Sequence, residues 1–72
     1  MIPMKISARN TFSGKVTALS MGPVSTEVTI QIAPKLEVVS VITTNSAKKL
    51  KLKIGSKAYA IVKSDNVIVG ID

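Results

Sequence analysis

The chain has 72 residues, which allows one small domain, residues 1–72, whose own core supplies only marginal stability. It contains no cysteine and no histidine. This excludes disulfides and thiolate metal sites and removes the usual general base at neutral pH. Ten Lys and Arg residues against four Asp and Glu residues give a net charge of +6, so a ligand selected by charge is an anion.

Alternation of apolar and polar residues predicts five short strands. In the second strand, Val28, Ile30 and Ile32 share one face, as a half-buried strand requires. The third strand is apolar on both faces, so we expect one face to cover the core and the other to contact another subunit. The predicted strands span residues 14–20, 27–32, 36–42, 57–63 and 67–71.

A short helix is predicted over residues 43–50, which begin with four potential N-cap residues and continue with good helix formers. The fold class is therefore all-β: a small five-stranded OB-like barrel with one short helix between the third and fourth strands, expected to oligomerise. Residues 1–5 are expected to form a poorly ordered end or an edge strand. They lack the pattern of a signal peptide, and no apolar run is long enough to cross a bilayer, so we expect a cytoplasmic location.

The sequence offers no pattern typical of an enzyme. The four carboxylates are scattered and form no acid/base pair, and the glycines form no phosphate-binding motif. The basic run over residues 48–53 has two interpretations. It is either a contact for nucleic acid or acidic lipid, or a solvated face whose interleaved aliphatic residues pack inward. Only Phe12 and Tyr59 are aromatic, which argues against binding single-stranded nucleic acid through stacked bases.

Three polar clusters follow one another along the chain. The first cluster is Ser-Ala-Arg-Asn at residues 7–10, followed by Phe-Ser-Gly at 12–14. The second is Ile-Thr-x-x-Ser at residues 42–46, and the third is Ile-Val-Lys-Ser at 61–64. In their order and spacing, these clusters resemble the molbindins (Mop, the molybdenum-pterin-binding proteins), whose module is a molybdate-binding domain of TOBE/Mop type. The resemblance covers nearly the whole chain. It implies a non-catalytic protein that binds molybdate or tungstate at subunit interfaces of a homohexamer, a trimer of dimers.

The same resemblance implies the residues of the site and a role in intracellular molybdenum storage or buffering, without a membrane or nucleic acid as partner. The implied oxyanion-binding residues are Ser7, Arg9, Asn10, Thr43, Ser46, Lys63 and Ser64. The chain departs from the family pattern at Pro34-Lys35, where relatives often have a Gly-Gly-type turn, and at Ser64, where they tend to have Ala. Two other functions stay open: a basic barrel that binds nucleic acid, and an oligomerisation domain without a working site.

These residue types suit molybdate, a tetrahedral dianion whose four oxygens only accept hydrogen bonds. Arg9 and Lys63 would supply two positive charges, and the hydroxyls of Ser7, Thr43 and Ser46 would supply donors. Monohydrogen phosphate must donate a proton, so a receptor made only of donors should refuse it. Tungstate, nearly equal to molybdate in size, should not be distinguished.

Overall fold

A computed structural model of the chain describes residues 9–72; residues 1–8, including the predicted N-terminal edge strand and Ser7, lie outside the described residues. Over the described part the structure is mostly β, with one short α-helix. The elements are β1 (Asn10–Met21), β2 (Ser25–Ala33), β3 (Leu36–Thr43), α1 (Thr44–Lys49), β4 (Lys57–Val62) and a 3-10 turn (Ser64–Asn66). The predicted helix and the second to fourth predicted strands are confirmed, while β1 begins four residues earlier than expected.

The four strands form one antiparallel sheet in the order β3-β2-β1-β4. β1 is shared between two partners. Its first half pairs with β4, from Asn10 opposite Val62 to Lys15 opposite Lys57. Its second half pairs with β2 and ends with Met21 opposite Thr26. Because one strand serves both neighbours in succession, the sheet curls into a half-barrel.

The core lies on the concave face of this sheet. Four apolar residues from three strands are buried there: Val16, Val28, Ile30 and Ala60. Partly buried residues pack around them, and Ala47 buries the inner side of α1. This core is small even for a short chain, so much apolar surface is left outside it.

The outer face of β3 is apolar and uncovered within one chain. Val41 is 66% exposed and Val39 57%, whereas Val38 and Ile42 of the same strand pack against the core. The prediction that this strand is apolar on both faces is therefore confirmed.

The prediction of a fifth strand over residues 67–71 is wrong for the described chain. After the 3-10 turn these residues belong to no helix or strand, and Ile68 and Ile71 are 93% and 95% exposed. A run of β-branched residues such as Val-Ile-Val at 67–69 is suited to a sheet, but it becomes a strand only where a backbone edge pairs with it. Residues 9–72 therefore form a four-stranded half-barrel, and a barrel of five strands is not confirmed.

The Pro34-Lys35 departure is accommodated in the β2–β3 hairpin. Ala33 pairs with Leu36, so the two residues between them form the turn. Lys35 has a φ of 62°, as the third residue of a type II turn requires, and Pro is favoured at the position before it. The turn therefore keeps the strand pairing without the glycines expected there, with a strained lysine as the cost.

Gly14 lies where β1 passes from β4 to β2, and it leaves no room for a side chain. A Cβ on Gly14 would lie 2.9 Å from Ile30 Cγ2 and closer still to the backbone carbonyl oxygen of Gln31. The strands can therefore approach each other at the bend only because this residue has no Cβ.

We expect Gly14→Ala to lower the free energy of unfolding by about 1–3 kcal/mol, since overpacking forces the β2 backbone to move. Urea denaturation measures this change. The matched control is Gly70→Ala, where a Cβ would have no neighbour within 4 Å and the change should stay below about 0.5 kcal/mol. Equal midpoints for the two variants would contradict the packing argument.

Candidate functional site

Strand pairing brings the two predicted cations to the same end of the sheet. Asn10, half-buried, begins β1 and lies opposite Val62, the last residue of β4. Arg9 and Lys63 are the next residues outward on each strand, although 54 positions separate them in the sequence. Both are exposed, so the end of the β1–β4 pair presents two positive charges to solvent.

The chain turns immediately after this pair. Lys63 has extended backbone angles, and its carbonyl oxygen accepts a hydrogen bond from the Asn66 backbone N–H at 2.9 Å. The 3-10 turn that follows begins with Ser64, which is exposed beside the two cations. We refer to Arg9, Asn10, Lys63 and Ser64 together as the cationic cluster.

Thr43 and Ser46 form a hydroxyl pair at the start of α1. Thr43 caps the helix: its Oγ1 accepts from the Ser46 backbone N–H at 3.1 Å and donates to Ser46 Oγ at 2.8 Å. The single hydroxyl proton of Thr43 is thereby used. The Ser46 hydroxyl proton is left to point outward, and both side chains are exposed, so the pair offers one donor to a ligand.

The cationic cluster and the hydroxyl pair lie at opposite ends of β1. Thr43 pairs with Ser25 of β2, beside the end of β1 where Met21 pairs with Thr26. The cationic cluster adjoins the other end, at Asn10. An extended strand rises roughly 3.3 Å per residue, so a 12-residue strand separates the two groups. Within one chain, the predicted residues that the structure describes therefore form two groups and not one cage.

Two further threonines, not predicted as functional, lie beneath the hydroxyl pair. Thr26 and Thr44 are 0% and 6% exposed, and their Oγ1 atoms are 2.8 Å apart. Thr44 Oγ1 also donates to the Gly22 carbonyl oxygen at 2.7 Å. The sequence did contain evidence of this pair. Position 26 lies on the same inward-facing side of β2 as Val28 and Ile30, and it is polar where they are apolar.

Positive charge dominates residues 38–64. Residues 38–64 contain no Asp or Glu, and their six lysines are all exposed. Within residues 9–72, no three His, Cys, Asp or Glu side chains come together as metal ligands would. The arrangement therefore suits an anion held by hydrogen-bond donors and cations, and not a directly ligated metal ion.

An apolar groove opens on the concave side, away from the predicted site. It has a volume of about 330 Å³ and is lined by residues of all strands but β1, with Leu50 and Leu52 from the segment after α1. Of the predicted oxyanion-binding residues within 9–72, none lines it. An oxyanion would lose its hydration there without gaining donors, so the groove is a packing surface.

No helix among the described residues has the length and apolar character to span a membrane.

The sequence is similar to known proteins along most of its length. Residues 6–69 match the model of the TOBE domain. The chain is 49% identical to "Molybdenum transport protein ModE" of Herbaspirillum seropedicae, over 96% of this chain and 26% of that protein. It is 41% identical to "Probable molybdenum-pterin-binding protein" of Haemophilus influenzae, over 96% of this chain and all of that protein. The chain thus spans about a quarter of the ModE relative but the full length of the other.

Solved structures share the fold. MopII from Clostridium pasteurianum superposes with a TM-score of 0.88 at 39% identity, covering 93% of this chain and all of that one. A molybdate-binding protein from Sporomusa ovata gives 0.87 at 32% identity, covering 94% and 100%. ModG, described as a cytoplasmic molybdate-binding protein and solved with molybdate bound, gives 0.91 at 36% identity, covering 96% of this chain and 49% of that one. The OB-like character of the curled sheet is supported by these matches.

Proposed function

Because the chain belongs to the TOBE domain family and resembles the molybdenum-pterin-binding proteins along its whole matched length, we propose that it binds molybdate without catalysing a reaction. The observation that carries the proposal is the position of Arg9 and Lys63 at one end of the β1–β4 pair. Proteins with this fold are described as molybdate-binding. We further propose that tungstate binds equally and that the role is storage or buffering of the oxyanion in the cytoplasm.

The chemistry of the two groups fits a fully deprotonated oxyanion. The Arg9 guanidinium can hold two oxygens with its planar fork, and the Lys63 ammonium adds a compact charge. Ser46 contributes an outward hydroxyl proton supported by Thr43. Asn10 and Ser64 lie beside the cations and complete the proposed set, with Ser7 added by the sequence motif. Every one of these side chains can donate a hydrogen bond.

The separation of the two groups supports the proposal that each site is shared between chains. In one chain a 12-residue strand lies between the cationic cluster and the hydroxyl pair, so a small anion cannot contact both. In a symmetric assembly, the cationic cluster of one subunit can face the hydroxyl pair of another. Occupancy would then stabilise the assembly, because the ligand binds only to associated chains.

The apolar surface left uncovered supports a homo-oligomer. The outer valines of β3, the groove on the concave side and the exposed tail at residues 67–71 are all apolar. Among residues 9–72, the outer strand β3 has one backbone edge that pairs with no other strand, and such an edge can receive an extended segment. We propose that the tail pairs with such an edge in another copy and that the assembly is a hexamer, a trimer of dimers.

Nucleic acid is the second candidate partner, favoured by the acid-free stretch over residues 38–64. The aromatic side chains argue against it. Phe12 and Tyr59 are the two in the chain, and the Lys57 ammonium lies 5.6 Å from the centre of the Tyr59 ring. A surface for single strands normally offers several rings for stacking. Binding that falls steeply with salt would identify this alternative.

We expect Arg9→Ala and Lys63→Ala each to weaken molybdate binding at least about tenfold, because each removes charge-assisted hydrogen bonds. Isothermal titration calorimetry measures the affinity. Lys51→Ala is the control, since this exposed lysine lies in the turn after α1, and its affinity should stay within about twofold. Full affinity in Arg9→Ala would show that the motif has been misassigned.

Competition between oxyanions tests the donor-only cage. We expect tungstate to displace molybdate at comparable concentration, whereas phosphate at about a tenfold excess should displace little, because its hydroxyl would face another donor. Equilibrium dialysis with unlabelled competitors gives the ratio. Equal competition by phosphate would contradict this chemistry.

Mixed assemblies test whether sites are shared. Arg9→Ala and Ser46→Ala chains, each defective alone, are unfolded together, refolded at equal concentration and titrated with molybdate. If each site takes its cations from one chain and its hydroxyls from another, about a quarter of the sites should regain full affinity. Sites formed within one chain would regain none, and a monomeric mass in sedimentation at saturating molybdate would also overturn the shared site.

A further inference from the structure

Two buried hydroxyls attach the start of α1 to the sheet. Within residues 9–72, Thr26 and Thr44 are the buried polar residues. Position 26 belongs to the inward row of β2, where Val28 and Ile30 are apolar. Valine has nearly the shape of threonine and would fill the same space at position 26, without the hydroxyl. Core packing therefore does not require a hydroxyl at position 26.

The hydrogen bonds of these residues have a fixed direction. Thr44 has one hydroxyl proton, and it is donated to the Gly22 carbonyl oxygen. In the 2.8 Å contact between the two threonines, Thr26 must therefore donate to Thr44. The Thr44 backbone N–H also donates to the Val24 carbonyl oxygen at 2.8 Å. Residue 44 is thus held by three hydrogen bonds, to β2 and to the β1–β2 turn.

Thr44 lies between the two members of the hydroxyl pair, Thr43 and Ser46. α1 has six residues, too few for a helix to be stable by itself. The position of the hydroxyl pair is therefore set by what anchors α1 to the sheet. Thr43 pairs with β2 on one side of the anchor, and Ser46 lies on the helix that the anchor begins.

We propose that Thr26 and Thr44 are positioning residues for oxyanion binding. They hold the Thr43–Ser46 hydroxyl pair at the distance from the other donors of the site that a tetrahedral oxyanion of molybdate size requires. This inference rests on the proposed function. Thr26 acts only through Thr44, and neither buried hydroxyl contacts the ligand. The anchor matters for selectivity because sulfate meets the same donor rule, so only the fixed spacing of the donors can favour the larger anion.

The test compares Thr26→Val, Thr26→Ser and Thr17→Val with the wild-type assembly. Thr26→Val keeps the shape and the Thr44–Gly22 bond but removes the donor. Thr26→Ser retains the hydroxyl. Thr17→Val is the matched control, because Thr17 is a half-buried strand threonine whose hydroxyl contacts Thr29 and Glu37, outside both groups. Three quantities are measured: molybdate and sulfate affinity by calorimetry, the urea midpoint, and the hydrogen-exchange rate of the Ser46 amide by NMR.

For Thr26→Val we expect molybdate affinity to fall about fivefold, because binding must then order a hydroxyl pair that the anchor holds in place in the wild type; the net value of one neutral hydrogen bond bounds this effect. We also expect a smaller molybdate-to-sulfate ratio and faster exchange of the Ser46 amide. Thr26→Ser should return the molybdate affinity, the molybdate-to-sulfate ratio and the Ser46 amide exchange to within about twofold of wild type. Thr17→Val should change none of these three quantities.

Wild-type affinity, ratio and amide exchange in Thr26→Val would overturn the positioning role. So would an equal loss of affinity in Thr17→Val, since the cause would then be general destabilisation. A wild-type protein that binds no molybdate would refute the proposed function itself. In that case, unchanged Ser46 exchange in Thr26→Val would also refute the anchor, and faster exchange would establish it as a feature of the fold.

Discussion

The division of β1 between two partners determines the rest of this structure. Its first half pairs with β4 and its second half with β2, which curls the sheet and makes the absence of a side chain at Gly14 necessary. The same division places the cationic cluster at one end of the strand and the hydroxyl pair at the other. The fold places Arg9 beside Lys63, 54 positions away in the sequence, and it keeps both cations away from the hydroxyl pair of the same chain. Assembly is therefore part of how the proposed site forms.

Much of the fold could be predicted from alternation and turn residues, because these report local preferences of the backbone. β2, β3 and α1 were found in this way. The failure at residues 67–71 has a physical cause: a run of β-branched residues shows that a segment suits a sheet, but pairing depends on which backbone edge is available. β1 was predicted too short because residues 10–13 are mostly polar, and their strand conformation is imposed by pairing with β4.

The candidate site was predictable only in part. The charges and hydroxyls could be chosen from the chemistry of an oxyanion together with the family resemblance, and the strand register explains why Arg9 and Lys63 adjoin. The distribution over two ends of the sheet could not be read from the sequence, because it depends on long-range pairing. The buried link between Thr26 and Thr44 was missed for a different reason: a threonine in a strand is ordinary by propensity, and only its burial makes it informative.

The acid-free stretch over residues 38–64 has a consequence for how copies of the chain meet. Each copy has a net charge of +6, so association places like charges side by side and works against the attraction of the apolar surfaces. If molybdate binds between copies as proposed, its two negative charges would lower that repulsion. The ligand would then serve as a counterion within the proposed assembly, and dissolved salt would take over part of this role by screening.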